Sequence, residues 1–451
     1  MADAAQPVPD DQDGIDVTPT KAFFVDMLTK DVQLNRAIVD LVDNCVDGAR
    51  RLRPGNDQSF AGLEVRIVVN PGRFEIRDNC GGIGIELAKK YAFRIGRPKE
   101  MPSTPGAVGQ FGIGMKRALF KLGHKFRVSS NTTSDRFVLD VDVDLWLEES
   151  GWHFRFSEAE AGLTIAEAET GTRIEVWDLR DGVVQSFSNM YSINSLHRDI
   201  QAAQQYYIDR GLSIALNNTP MLTSRLRLLR SAALSPARII DQFDAQSPQP
   251  IKVTIFAGIA DSDPRAAGWY IFCNGRLVLE ADQTSRTGWD RTIDTIKAPK
   301  YHNQFARFRG FVYFDCDDAA KLPWNTTKTG VDEDSAVYQA VREKMVAAMR
   351  PVIDFLNDLD REQELPVQER ELDKLVTAAS ATPIKDLEPG NAFAFAVPPP
   401  PVQRPVYIGI SYQRSEEKID ELKEALGAGS AKAVGERSFD IVYRDLVEKN
   451  K

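Results

Sequence analysis

Three segments ahead of residue 120 place carboxylates, amides and glycines at spacings that can do chemistry. In Ala37-Ile38-Val39-Asp40-Leu41-Val42-Asp43-Asn44-Cys45-Val46-Asp47, the residues Asp40, Asn44 and Asp47 lie four and then three positions apart. On a helix that spacing sets them on one face, while Ile38, Val42 and Val46 pack elsewhere. A carboxylate and an amide on one face can hold a hydrated Mg2+ and orient a water, although such a stripe is also what a solvated helix face presents. The second segment runs from Phe74 to Gly84, where a strand ends in Asp78 and is followed by Gly81, Gly82 and Gly84. A carboxylate there meets a flat ligand at the sheet edge and can accept from the exocyclic amine of adenine; a tight strand-to-helix turn is the plainer reading. In the third, Gly106, Gly109, Gly112 and Gly114 lead into Lys116 and a helix. Glycines before a helix offer free N–H groups and a positive dipole end to phosphates, and Lys116 adds a point charge. The spacing matches neither G-x-x-x-x-G-K-[ST] nor the dinucleotide fingerprint after a strand.

The elements that must position these residues follow from periodicity. Residues 21–53 read as helix and stop at Pro54-Gly55; LEVRIVV and RFEIRD, joined at Asn70-Pro71-Gly72, read as a hairpin. Helical and Gly-rich stretches follow to Leu122, then strands around KFRVSS, RFVLDVDV, WHFRF and TRIEVWDL. A helix-like segment, Leu196 to Arg210, precedes a second group of strands: GLSIALNN, IKVTIFAG, GWYIFCNGRLVL and FRGFVYFDC. With the helix Ser335 to Leu359 these make a second α+β domain. The expected division is a mobile arm at 1–19, a first α/β domain at 20–180, a second domain at 181–362, a Pro-rich linker at 363–405 and a small helical module at 406–451.

With 451 residues, 43% hydrophobic and 27% charged, the chain has the composition of a folded multidomain protein. No apolar run approaches a bilayer span and the acidic start is unlike a secretory signal, so a cytoplasmic protein without a membrane partner is expected. The four cysteines, Cys45, Cys80, Cys273 and Cys316, form no C-x-x-C pair, which indicates neither a disulfide framework nor a zinc site. A net charge of −9 disfavours nucleic-acid binding over the whole surface but leaves room for a basic patch.

Taken in order, D-x-x-x-N on a helix, a strand ending D-x-x-x-G-I-G, and G-Q-F-G-I-G before a helix resemble the GHKL superfamily, which includes the ATPases of DNA gyrase, ninety-kilodalton heat-shock chaperones, histidine kinases and MutL. GQFGIGMKRALFKLG is especially similar to the chaperone and MORC versions, and Gly171-Thr172 matches the Gly-Thr before a late strand. The resemblance implies an α+β chain with a Bergerat-type α/β sandwich that binds ATP and Mg2+. By that likeness Asn44 ligates Mg2+, and Asp78 contacts adenine with help from Gly82 and Thr172. The loop Gly109, Gln110, Phe111, Gly112, Ile113, Gly114 and Lys116 lines the phosphates, and Asp47 and Gly84 complete the nucleotide-binding set. Gly96 to Ala107 is the lid, and Asp40 is the general base. Asp40 departs from the usual glutamate, which points either to slow hydrolysis or to a base acting through a second water, and Cys80 stands where the family has its first glycine.

Tyr270 to Arg276 resembles the N-G-R strand of the MutL and MORC transducer domain, and Leu322 to Gly330 resembles the loop that sends a lysine, here Lys328, to the γ-phosphate. Lys321 is the alternative. A sensor kinase is disfavoured because all four histidines follow the first motif. The family expectation is a nucleotide-gated clamp that forms a homodimer through its N-terminal ATPase domains. Two outputs compete: duplex DNA, supported by Arg225, Arg227, Arg230 and Arg238 in the acid-free stretch Gly211 to Ile240, whose arginines would equally suit a helix snorkelling round an apolar stripe; or protein remodelling or adaptor work, in which the Pro-rich linker and the C-terminal module recruit a partner effector protein.

Overall fold

The computed structural model describes residues 20–30, 32–55, 59–94, 105–109, 112–222, 226–293, 295–325, 327–388, 390, 392–396 and 409–449. The chain divides into two compact units at residues 397 and 398.

The first unit opens with α1 (Lys21–Lys30) and α2 (Leu34–Leu52). Ile38, Leu41, Val42, Cys45, Val46 and Ala49 bury one side of α2, which runs out at Pro54. Next come β1 (Glu64–Asn70) and β2 (Arg73–Asp78), whose turn is tied by Asn70 Oδ1 accepting from the N–H groups of Gly72 at 2.9 Å and Arg73 at 3.0 Å. After α3 (Ile85–Leu87) and α4 (Gly114–Leu122) come β3 (Gly123–Asn131), β4 (Asp135–Asp142), α5 (Val143–Glu148), β5 (Phe156–Ala161), β6 (Gly171–Leu179), α6 (Asp181–Phe187) and α7 (Met190–Asp209). Finally β7 (Ser213–Leu216) and β8 (Thr219–Pro220) close an eight-stranded sheet of order β5-β4-β3-β6-β2-β1-β7-β8. Helices α4 and α7 each pack on α2.

GLSIALNN, expected to begin the second domain, is instead β7 and pairs parallel with β1. The first layer therefore runs past residue 180 to Pro220, because α6 and α7 form the crossover that a parallel pairing requires.

The strands β9 (Arg227–Arg230), β10 (Leu234–Ser235), β11 (Ala237–Phe243), β12 (Ile251–Ile259), β13 (Gly268–Cys273) and β14 (Arg276–Asp282) follow. A small hairpin of β15 (Thr292–Ile293) and β16 (Ile296–Lys297) precedes β17 (Phe308–Asp315) and α8 (Ala336–Arg361). The second sheet has the order β11-β12-β17-β13-β14. Asn274-Gly275 of the N-G-R motif turns β13 into β14 with φ +47° and +78°, the left-handed pair that a tight hairpin demands. The arginine-bearing stretch is strand, not helix: Arg227 and Arg230 sit on β9, Arg238 on β11 donates to the Leu387 carbonyl, and Arg225 lies outside the described residues.

Much of the expected linker is folded. Here α9 (Glu371–Ala378) is followed by β18 (Ser380–Pro383), which pairs with β9, and β19 (Ala394–Phe395), which pairs with β10, and Leu372, Val376, Ile384, Leu387 and Phe393 are buried. Scattered apolar residues without a regular period still find a core in three dimensions. The prolines at 398–401 are outside the described residues. The second unit holds α10 (Glu416–Leu426), ended by Gly427, and α11 (Ala431–Tyr443). Among the described residues no helix is long and apolar enough to cross a membrane.

Candidate functional site

A cleft opens between α2, the end of β2, the Gly-rich loop ahead of α4 and the start of β6. Its lining brings together Asp40, Asn44, Asp47, Asp78, Gly82, Gly109, Gly112, Ile113, Gly114, Lys116 and Thr172. At one end Asp78 Oδ1 accepts from the N–H groups of Cys80 at 2.8 Å and Thr172 at 3.4 Å. Shielding from water raises its carboxyl above the usual range, opposed by those N–H bonds and the Cys45 thiol. Thr172 supports Asp78 through its backbone, since its hydroxyl lies 3.1 Å from Ser130 Oγ, which also accepts from Ile83 N at 2.7 Å. Ser130 went unnoticed in the sequence, where a serine inside a strand carries no signal. The turn after Asp78 places its left-handed residues at Gly81 and Gly82, so the family's missing glycine at Cys80 is not required to adopt positive φ. A Cβ on Gly82 would stand 2.0 Å from the Asn131 carbonyl oxygen.

At the other end Asp47 accepts from Val108 N and Gly109 N, each at 2.7 Å, one on each carboxylate oxygen. It thereby fixes the base of the Gly-rich loop, and a Cβ at position 109 would come within 2.7 Å of it. The Asn44 amide faces the same space, with its nitrogen buried and unpartnered among the described residues. Burial pushes the Asp40 carboxyl up, offset in part by the Lys328 ammonium.

Two expected contacts fall elsewhere. Gly84 is not in the lining; it caps α3, where Ile85 N donates to Asp135 Oδ2 at 3.2 Å. Lys116 lines the cleft, yet its ammonium donates to the Ala92 carbonyl at 2.9 Å, and burial lowers its pKa to about 8. Gln110, Phe111 and positions 96–104 of the expected lid lie outside the described residues.

A family model described as histidine kinase-, DNA gyrase B-, and HSP90-like ATPase matches residues 32–172, the stretch that supplies α2, Asp78, the Gly-rich loop and Thr172. The N-terminal domain belongs to the GHKL superfamily. No curated protein matches the chain.

The second domain reaches into this GHKL cleft. Lys328, buried and on the Thr/Gly loop, also lines it. Its ammonium lies 2.8 Å from Asp43 Oδ2 and 3.8 Å from Asp40 Oδ1. Burial alone would raise the Asp43 carboxyl, but Lys328 and Arg276 hold it below its usual value. Lys321, the alternative, pairs with Asp244 at 2.8 Å on the surface. The N-G-R turn makes a second tie, as Asn274 Nδ2 donates to the Ala107 carbonyl at 3.2 Å.

This GHKL fold implies ATP binding, in the superfamily usually with Mg2+. The residues suit both. Asp78 is a shielded acceptor, the glycines leave room for backbone approach, and the orphaned Asn44 Nδ2 is a donor that a phosphate oxygen would satisfy. Mg2+ takes one or two protein ligands beside phosphates and water, so a single amide oxygen is adequate.

Proposed function

We propose that the chain is a Mg2+-dependent ATP hydrolase working as a nucleotide-gated dimerising clamp, most like the MORC and MutL branch of the superfamily. The observation that carries this reading is Lys328: a cation from the second domain lies in the ATPase cleft beside the candidate base. Asp78 binds adenine. Asn44 holds Mg2+, which supplies charge neutralisation at the phosphates. Asp40 takes the proton of the attacking water, and its raised pKa suits that task. Lys328 offsets charge on the γ-phosphoryl group, a contact that ATP offers and ADP does not, so hydrolysis changes how the two domains are held together. Sedimentation of the full chain with a non-hydrolysable ATP analogue tests the clamp: dimerisation that depends on the analogue and on Lys328 supports it, and an unchanged monomer rules it out.

For its output we propose duplex DNA, as for the MORC and MutL relatives. A second reading, an adaptor for an effector protein, draws support from the C-terminal unit, whose helices expose Leu422, Phe439, Ile441 and Val442. Duplex binding measured against salt, with and without ATP, separates them: a steep salt dependence strengthened by ATP favours DNA, and no binding at low salt favours the adaptor.

A further inference from the structure

Asp43 sits one turn along α2 from Asp40, with its side chain wholly shielded from water. Lys328 Nζ donates to its Oδ2 at 2.8 Å and Gln204 Nε2, from α7, to its Oδ1 at 2.7 Å. Arg276 Nε, from the N-G-R motif, lies 3.1 Å from Oδ1. Arg276 is itself buried and donates through Nη1 to the Leu277 carbonyl at 2.9 Å. Around the buried Asp43, Lys328 and Arg276 are the nearest cations; the part-buried Asp40 lies beside them, and Arg36 acts on both carboxylates from further off.

The loop that carries Lys328 is fixed from its own side. Asn325 Oδ1 accepts from Thr329 N at 2.9 Å, Asn325 O accepts from Lys328 N at 3.0 Å, and Asn325 N donates to the Gly330 carbonyl at 3.0 Å. Lys328 itself holds φ at +52°, a left-handed conformation that a long side chain adopts only when its surroundings impose it. Lys328 has two carboxylates within reach and is given to Asp43.

We propose that Asp43 is a positioning residue: with Arg276 and Gln204 it holds the Lys328 ammonium in the cleft and off Asp40, leaving Asp40 to act on water and Lys328 to meet the γ-phosphate. The inference rests on the roles given to Lys328 and Asp40 above. Stability alone is a poor account of the cluster, because a buried ion pair replaced as a pair by neutral residues is often no less stable. Without Asp43 the nearest anion to Lys328 is Asp40, and an ion pair there would occupy the base and withdraw the cation together.

The test uses full-length protein and four variants, Lys328→Met, Asp43→Asn, Asp43→Glu and the double Asp43→Asn/Lys328→Met, read as kcat and KM for ATP beside the Kd for ADP. Asp43→Asn should lower kcat tenfold or more with the ADP Kd unchanged within threefold, and Asp43→Glu, which keeps the charge, should retain more of the rate. The double variant should match Lys328→Met within threefold, because the lysine through which Asp43 acts is already gone. A double variant tenfold slower than Lys328→Met would overturn the inference, as would wild-type kcat in Asp43→Asn. Asp43→Asn leaves two buried cations facing one carboxylate; if it does not fold, the comparison of Lys328→Met with the charge-balanced double variant decides alone. Wild-type kcat in Lys328→Met would instead sink the role of Lys328 itself, an outcome distinct from additivity.

Discussion

On the proposed function the cleft has an adenine end and a phosphate end; at the first, Asp78 is held by the backbone N–H groups of Cys80 and Thr172, both belonging to the same sheet domain. At the phosphate end Asp43 is held by side chains from α7, from the N-G-R hairpin and from the Thr/Gly loop, the last two in another sheet domain. The first arrangement holds its carboxylate by backbone N–H groups, with the Arg51 guanidinium near enough to act on it, and depends on a turn that two glycines make. The second is a network of charges whose closest partners to Asp43 lie far away in the chain, so it exists only when the two sheets are packed together. On the proposed reading, binding of the base should survive a disturbance of domain packing, whereas recognition of the third phosphate should not.

The largest effect is expected at the adenine end. Asp78→Asn should abolish nucleotide binding by calorimetry, since the shielded acceptor becomes a mismatched amide and an unpaired donor costs about 1–3 kcal/mol or more. Retained ADP affinity would mean that the two ends do not divide as described.

Asp40→Asn should reduce hydrolysis by about 10²–10⁴-fold, the usual worth of a positioned general base, with ADP affinity nearly intact. In the wild type the rate should fall on the acid side as Asp40 takes up a proton. Because burial raises its pKa in the ligand-free protein, that limb of the kcat/KM profile should lie above the ordinary aspartate range. Should Asp40→Asn turn over normally, the base is another group and the charged end has a different centre.

Lys328→Met should slow hydrolysis by about tenfold to a hundredfold, matching a charge-assisted contact of about 1.5–3 kcal/mol, and spare ADP binding. It should also remove analogue-driven dimerisation. Equal loss of ADP and ATP affinity would erase the contrast between the ends.

The smallest effect concerns Lys116. Its folded pKa of about 8 lies below the unfolded value of 10.5, so the ammonium is disfavoured by the fold at neutral pH. Its contribution to stability should improve as pH rises from about 8 towards 10.5, and the gap in melting temperature between Lys116→Met and wild type should narrow over that window. A gap that stays constant would show that Lys116 has an anionic partner after all.

The sequence alone determined the α2 stripe, the strand ending at Asp78 and the Gly-rich loop, because each is a local pattern in which residue type and short spacing fix backbone conformation. It also singled out N-G-R and Lys328, through resemblance rather than periodicity. Ser130 and Gln204 carried no signal, being ordinary polar residues whose importance comes from what they face. Residues 213–216 read as a strand but not as a neighbour of β1, since strand order is set by the crossover and not by the strand's own letters. Asp47 shows the boundary: spacing set it on the nucleotide face, and packing then used both its oxygens to hold the loop. Only the tertiary structure decided which cation each carboxylate receives, because an ion pair spanning residues 43 and 328 has no trace in local sequence and forms where two sheets, each built from its own pattern, bury charge against one another.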